Sequence, residues 1–157
     1  MAKAIEAQIR ERYPQCTLEY YETEGDRLDI YLISNVDTGS CPECGEKSSS
    51  LHGRYVKKIA DLPIDDKFIT VHLKTKTLTC RGVCARKTFF PAPHSFLSDP
   101  QAKKTDRLVE RILDIASANT VRGTVKACEK EHIKCDKNTV SRLLRAHHMR
   151  KCDLQGK

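Results

Sequence analysis

The residues best suited to chemistry in this 157-residue chain are its cysteines. Cys41-Pro42-Glu43-Cys44-Gly45 sets two thiols three positions apart with a glycine directly after them. Cys80-Arg81-Gly82-Val83-Cys84 supplies a second close pair, again with a glycine inside. Thiolates at such spacing chelate one ion when the backbone turns tightly, and amides exposed by the turn hydrogen-bond the sulfurs. Four of them fill a tetrahedron and leave no open position for catalysis. The expected ligands Cys41, Cys44, Cys80 and Cys84 therefore hold a single structural Zn²⁺, which should supply much of the folding energy of a thin β module. A thioredoxin-like redox role for Cys41 and Cys44 would need a βαβ pattern around them, and none is visible. Cys128 falls on an apolar stripe and reads as core, as does Cys135, while Cys16 and Cys152 carry no pattern. His52, His72 and His94 are ligand types that a saturated four-sulfur site does not require.

The elements that must position these cysteines read as strands. The 35 residues between Cys44 and Cys80 fit a β-hairpin that returns the chain to its start. Leu51 to Ile59 is one strand and Phe68 to Leu78 the other, with Ile69, Val71 and Leu73 on one face and Thr70, His72 and Lys74 on the other. Pro63 marks the stretch between them as a connection rather than a central strand. Upstream, Leu18 and Tyr20, then Leu28, Ile30 and Leu32, flank Gly25-Asp26 as a further hairpin, preceded by a short amphipathic helix ending before Pro14.

Beyond Pro91-Ala92-Pro93 the period changes from 2 to 3.6. Asp99-Pro100 offers a cap and a first-turn proline for a helix carrying Leu108, Ile112 and Ile115. Val121, Val125 and Cys128 mark a second helix. Val140, Leu143, Leu144 and His147 mark a third, with Asp136 as its N-cap. A tight connection at His132-Ile133-Lys134-Cys135 makes the last two a helix-turn-helix.

Charge is unevenly spread. Residues 1–40 hold 4 Lys/Arg against 8 Asp/Glu, residues 41–97 hold 10 against 5, and residues 98–157 hold 14 against 8, within a net charge of +7. The basic two-thirds favours polyanions, duplex DNA first among them. Opposite the third helix's apolar stripe lie Asn138, Ser141, Arg142 and Arg145, with Lys137 at its start. These are types that hydrogen-bond base edges, Arg to guanine and Asn to adenine. Thr139 and the helix N-terminus can hold a phosphate. Lys103, Lys104, Arg107 and Arg122 are the expected backbone contacts that position without specifying. No catalytic residue is predicted: Asp61, Asp65 and Asp66 read as a turn, and Asp106, Glu110 and Asp114 as surface charges. The N-terminus lacks the apolar core of a signal peptide, and no apolar run reaches the length of a membrane span. The expectation is a cytoplasmic, nucleoid-associated protein of prokaryotic type, with neither membrane nor small-molecule partner.

Taken in order, Cys41-Pro-x-Cys44-Gly, His52-x-x-Tyr55, Asp61-Leu62-Pro63 and Cys80 to Cys84 with Arg86 and Phe89 resemble the zinc-binding region of ISL-three-type insertion-sequence transposases. Lys103-Lys104-Thr105-Asp106-Arg107-Leu108 is similar to that family's Arg-Arg-Thr-x-Arg-Leu. Asp136-x-Asn138-Thr139-x-x-Arg142-Leu143-Leu144 is similar to its recognition helix. The family carries an RNase-H-like Asp-Asp-Glu catalytic domain after these motifs, whereas this sequence ends at Lys157. The resemblance therefore implies binding of terminal inverted repeats without strand-transfer chemistry. Inverted repeats suit a homodimer, although no heptad seam is visible.

The expected fold is α+β: a small zinc-bound antiparallel β module of zinc-ribbon type followed by a three-helix helix-turn-helix unit. Residues 1–40 would form an N-terminal helix and hairpin packed on the module, 41–92 the zinc-binding β module, and 98–150 the DNA-binding domain. The expected function is sequence-specific binding of double-stranded DNA, as the non-catalytic recognition part of a transposase. A transposase-derived transcriptional regulator is the alternative, and a zinc-ribbon adaptor for protein partners a third reading.

Overall fold

The computed structural model describes the backbone of residues 2–82, 87–92, 94–97 and 102–155, with side chains described for 4–82, 87–92, 94–97 and 102–148. Helix α1 (Ala2–Arg12) leads into strands β1 (Cys16–Glu24) and β2 (Arg27–Ser34). Short strands β3 (Gly39–Ser40) and β4 (Lys47–Ser48) frame the first cysteine pair. Long strands β5 (Leu51–Ile64) and β6 (Lys67–Thr79) follow, and then β7 (Thr88–Phe89). The chain finishes in α2 (Asp106–Ser117), α3 (Val121–Lys130) and α4 (Lys137–Gln155).

Both expected hairpins form. Gly25 adopts a left-handed φ of 59° in the first turn, and Asp65 and Asp66 do so at 51° and 56° in the second. The sheet, however, is not the purely antiparallel module expected. Its order is β1-β2-β6-β5, and the central pair β2–β6 is parallel, with Leu28, Ile30 and Leu32 opposite Ile69, Val71 and Leu73. The two hairpins lie side by side with their turns at the same end, where the Phe68 amide donates to the Asp26 carbonyl at 2.7 Å. A period of two records which face a side chain takes and is indifferent to strand direction. Strand β5 also runs through Pro63 to Ile64, where a connection was expected. It is the outer strand, and its register shifts between Asp61 and Ile64, so the missing amide interrupts no inner ladder.

One face of the sheet is the main core. Leu28, Ile30, Leu32, Ile59, Ile69, Val71 and Leu73 pack there beneath Ile9 and Tyr13 from the N-terminal segment and Phe96 and Leu97 from the segment after β7. A second core belongs to the helices, where Leu108, Ile112, Ile115, Cys128, Ile133 and Val140 meet. Cys128 is thus the core residue its stripe implied, and Cys135 packs partly buried against the same cluster.

Helix α2 starts later than expected. Its N-cap is Thr105, whose hydroxyl accepts from the Leu108 amide, while Asp99 and Pro100 lie outside the described residues. Helix α4 starts as the sequence implied: the Asp136 carboxylate accepts from the Thr139 amide at 2.7 Å. Between α3 and α4, His132 takes a left-handed φ of 59° and the Ile133 amide returns to the Cys128 carbonyl at 2.8 Å. No helix among the described residues is long and apolar enough to cross a membrane.

Candidate metal centre and its junction with the helices

The pairing of β3 with β4 pinches residues 41–46 into a tight loop. Gly45 takes a φ of 74°, which a β-carbon would disfavour, and its amide donates to the Cys41 carbonyl at 2.8 Å. The Cys41 amide in turn donates to the Glu46 carbonyl at 3.0 Å. Cys80 arrives from the end of β6, held by its amide to the Lys87 carbonyl at 2.9 Å. Cys41, Leu78 and Phe89 form a small buried cluster beneath the loop, with Cys80 packed against it.

The result is three sulfurs, those of Cys41, Cys44 and Cys80, all within 4.8 Å of one another, with Cys44 and Cys80 3.5 Å apart. A tetrahedron of thiolates around Zn²⁺, with bonds of about 2.3 Å, has sulfur–sulfur edges of about 3.8 Å, so the spacing fits. Gly82 supplies an independent sign that the space is reserved: a β-carbon there would sit 2.7 Å from the Cys44 sulfur and 3.6 Å from that of Cys80. Among the described residues this is the one group of three or more ligand-type side chains that converges. Cys84, the fourth expected ligand, lies outside the described residues. Two of the histidines named as ligand types are engaged elsewhere. His94 Nε2 is 2.7 Å from the Ser34 hydroxyl, and burial, with Lys57 nearby, pushes its pKa down. His72 pairs with Asp29 at 3.1 Å.

The helical unit is fastened to the sheet at a site that sequence reasoning read as a turn. Asp61 falls on the apolar face of β5, one pleat from Ile59, and is 3% exposed. Its carboxylate accepts from the Thr105 hydroxyl at 2.6 Å, from Arg107 Nε at 3.0 Å, from the Leu62 amide at 2.7 Å and from the Tyr13 hydroxyl. Burial, and after it the Asp61 carboxylate, push the Tyr13 phenol well above its ordinary pKa, so it stays a donor. Arg107 also donates to the Arg12 carbonyl at 3.1 Å and lies over the Tyr13 ring, 5.5 Å from its centroid. The backbone adds two bonds: the Ala60 amide to the Lys103 carbonyl at 2.9 Å and the Thr105 amide to the Ala60 carbonyl at 3.0 Å. One carboxylate thus joins the segment just after α1, strand β5 and the cap of α2. A signal was present, because an aspartate in an apolar slot of a strand requires buried partners.

The expected DNA-contacting residues fall in two groups. Lys137, Asn138, Ser141, Arg142 and Arg145 are exposed on α4, away from buried Val140, and Thr139 is half-buried. Lys103 and Arg122 are exposed and Lys104 is half-buried beside β5. Arg107 is turned inward to Asp61.

Three thiols on a short hairpin and a returning strand define a zinc-finger class of site. Residues 37–84 match the family described as the zinc-finger of transposase IS204/IS1001/IS1096/IS1165. The chain is also 30% identical over 63 residues to the transposase for insertion sequence element IS1001 of Bordetella parapertussis, a match covering 40% of this chain and 16% of that protein. No solved structure matches. Residues 37–84 are therefore similar to the zinc-finger region of these transposases, as the motifs from Cys41 to Cys84 implied. The matched segment contains Asp61 but stops short of Thr105 and Arg107.

Proposed function

We infer that the chain binds duplex DNA as the recognition part of a transposase, reading a terminal inverted repeat through α4. The observation that carries this reading is the exposed set Asn138, Ser141, Arg142 and Arg145 on one side of α4, opposite buried Val140. Helices α3 and α4 serve as a helix-turn-helix, with the start of α4 entering the major groove. Arg142 and Asn138 pair with base edges, Arg145 and Ser141 continue along the same side, and Lys137 and Thr139 hold flanking phosphate. Lys103, Lys104 and Arg122 contact the backbone. Arg107 positions rather than contacts, because its guanidinium is committed to Asp61 and the Arg12 carbonyl.

Cys41, Cys44 and Cys80, with Cys84, hold one Zn²⁺. The ion, when bound, neutralises thiolate charge and staples the loop to the end of β6. Its role is structural, and the portion is non-catalytic and acts in the cytoplasm at the nucleoid. Selection of bound duplexes from a random pool, with and without chelator, tests the reading. A defined site emerging from the pool supports it, and retention of no duplex at low salt refutes it. Within the selected site, Arg142→Ala should cost about 1–3 kcal/mol of preference at one base pair. Lys103→Ala should weaken all sequences alike and flatten the salt slope by about 1.

A further inference from the structure

Strand β5 is the outer strand of the sheet, and its register on β6 is unbroken from Gly53 to Asp61. Ile59 faces the main core while Ala60 meets the helices on the opposite face, so Arg54, Val56 and Lys58 share the face of Ala60. All three are exposed, and Arg54 and Lys58 make no ion pair among the described residues. At Ala60 a second piece of chain joins the outer side, where Lys104 bridges in parallel and Lys103 beside it is exposed. The Asp136 carboxyl that caps α4 is held down first by the Thr139 amide and then by two cations, Arg142 and Lys104, which places Lys104 beside the start of that helix. Arg54, Lys58, Lys103 and Lys104 therefore form one line that ends where α4 begins. Arg54 to Ala60 spans about 20 Å of strand, the length of about six base pairs of duplex.

The acids of the sheet lie off this line. Between Leu51 and Ala60, β5 carries none. On the open face next to it, His72, Lys74 and Lys76 of β6 pair with Asp29, Glu19 and Asp37. Glu22 and Glu24 are exposed on β1, three strand spacings or about 14 Å away. Asp26, Asp65 and Asp66 gather with Arg27 and Lys67 at the hairpin turns, past Ala60, and Glu43 and Glu46 belong to the cysteine loop ahead of β5. A polyanion laid along β5 from Arg54 to Ala60 meets cations and no carboxylate.

We propose that β5 lies along the DNA backbone beside the groove that α4 enters, with Arg54 and Lys58 on phosphates, so that sheet and helix grip one duplex. This rests on the reading of α4 as the recognition helix, and it lengthens the footprint on one flank. The test titrates the zinc-loaded full chain and its Arg54→Gln/Lys58→Gln double variant against a duplex carrying the selected site with flanking sequence on both sides. Both positions are exposed, and circular dichroism and zinc content check that the variant stays folded. The log–log salt slope should fall by about 2 in the double variant, with the preferred sequence unchanged. Hydroxyl-radical protection should recede by about six base pairs on one flank and persist around the bases that α4 reads. A wild-type slope and a full-length footprint in the double variant, with Arg142→Ala still altering base preference, would overturn the proposal and leave the reading of α4 standing. Arg54 and Lys58 would then serve only to keep other strands off an exposed edge. A wild-type chain that binds no duplex would overturn both.

Discussion

Replacing Asp61 by alanine should be among the most damaging single changes in the chain. Its carboxylate is fully covered, while its partner Arg107 keeps a third of its side chain exposed. Deleting one member of a buried ion pair costs about 3–5 kcal/mol, because the other charge is stranded. Here Arg107 can partly rehydrate, which pulls the figure down. The Tyr13 and Thr105 hydroxyls lose a buried acceptor, at about 1–3 kcal/mol each when nothing replaces it. Those losses overlap and do not add. The expected cost is about 3–4 kcal/mol for Asp61→Ala. For Asp61→Asn it is about 1–2 kcal/mol, since the amide oxygen still accepts from Thr105 or Tyr13. Urea unfolding of the zinc-saturated chain, followed by circular dichroism, measures both. Once Arg107 is alanine, Asp61→Ala should cost less by about 1 kcal/mol or more. A loss below about 1 kcal/mol for Asp61→Ala, or strict additivity with Arg107→Ala, would refute the idea that this carboxylate fastens the helices to the sheet.

Gly82→Ala should loosen metal binding without unfolding the sheet, because its β-carbon would crowd the Cys44 sulfur at 2.7 Å; release of zinc to a chromogenic chelator should be faster, and unchanged release would count against a site at these sulfurs. Chelation should raise hydrogen exchange mainly in residues 39–48 and 78–82, whereas β2 and β6 keep an apolar core of their own; loss of protection across the whole sheet would show that the metal organises far more than its loop. The amide of Thr139 holds the Asp136 carboxyl below its usual range. A depressed carboxyl contributes stability that is full above its unfolded pKa and is lost as pH falls through the folded one. Acid should therefore fray the start of α4 in wild type, and Asp136→Asn should remove that pH dependence when the Thr139 and Val140 amides are followed by exchange.

Much of the local structure was legible because it obeys short-range rules. The Gly25 turn, the Asp136 cap and the stripe of Leu108, Ile112 and Ile115 depend on neighbours in sequence. So does the Cys41–Cys44 loop. What escaped was long-range. Leu28, Ile30 and Leu32 read the same whether Ile69, Val71 and Leu73 run beside them or against them. Asp61 sits next to Pro63 and two further aspartates, a composition that suggests a turn until its partners 44 and 46 residues away are known. Arg107 looked like a free cation for the same reason. Within the resemblance, Asp61-Leu62-Pro63 and Thr105-x-Arg107 were separate motifs, and the fold makes them two halves of one contact.

The two main-chain bonds at Ala60 are blind to the identity of the side chains around them. Any sequence able to run extended through 103–105 can make them, provided the threonine and arginine that grip Asp61 are retained. The surface of α4 can therefore diverge freely while the joint that aims it stays constant. A chimera receiving foreign helices spliced in after Arg107 should inherit the same aim.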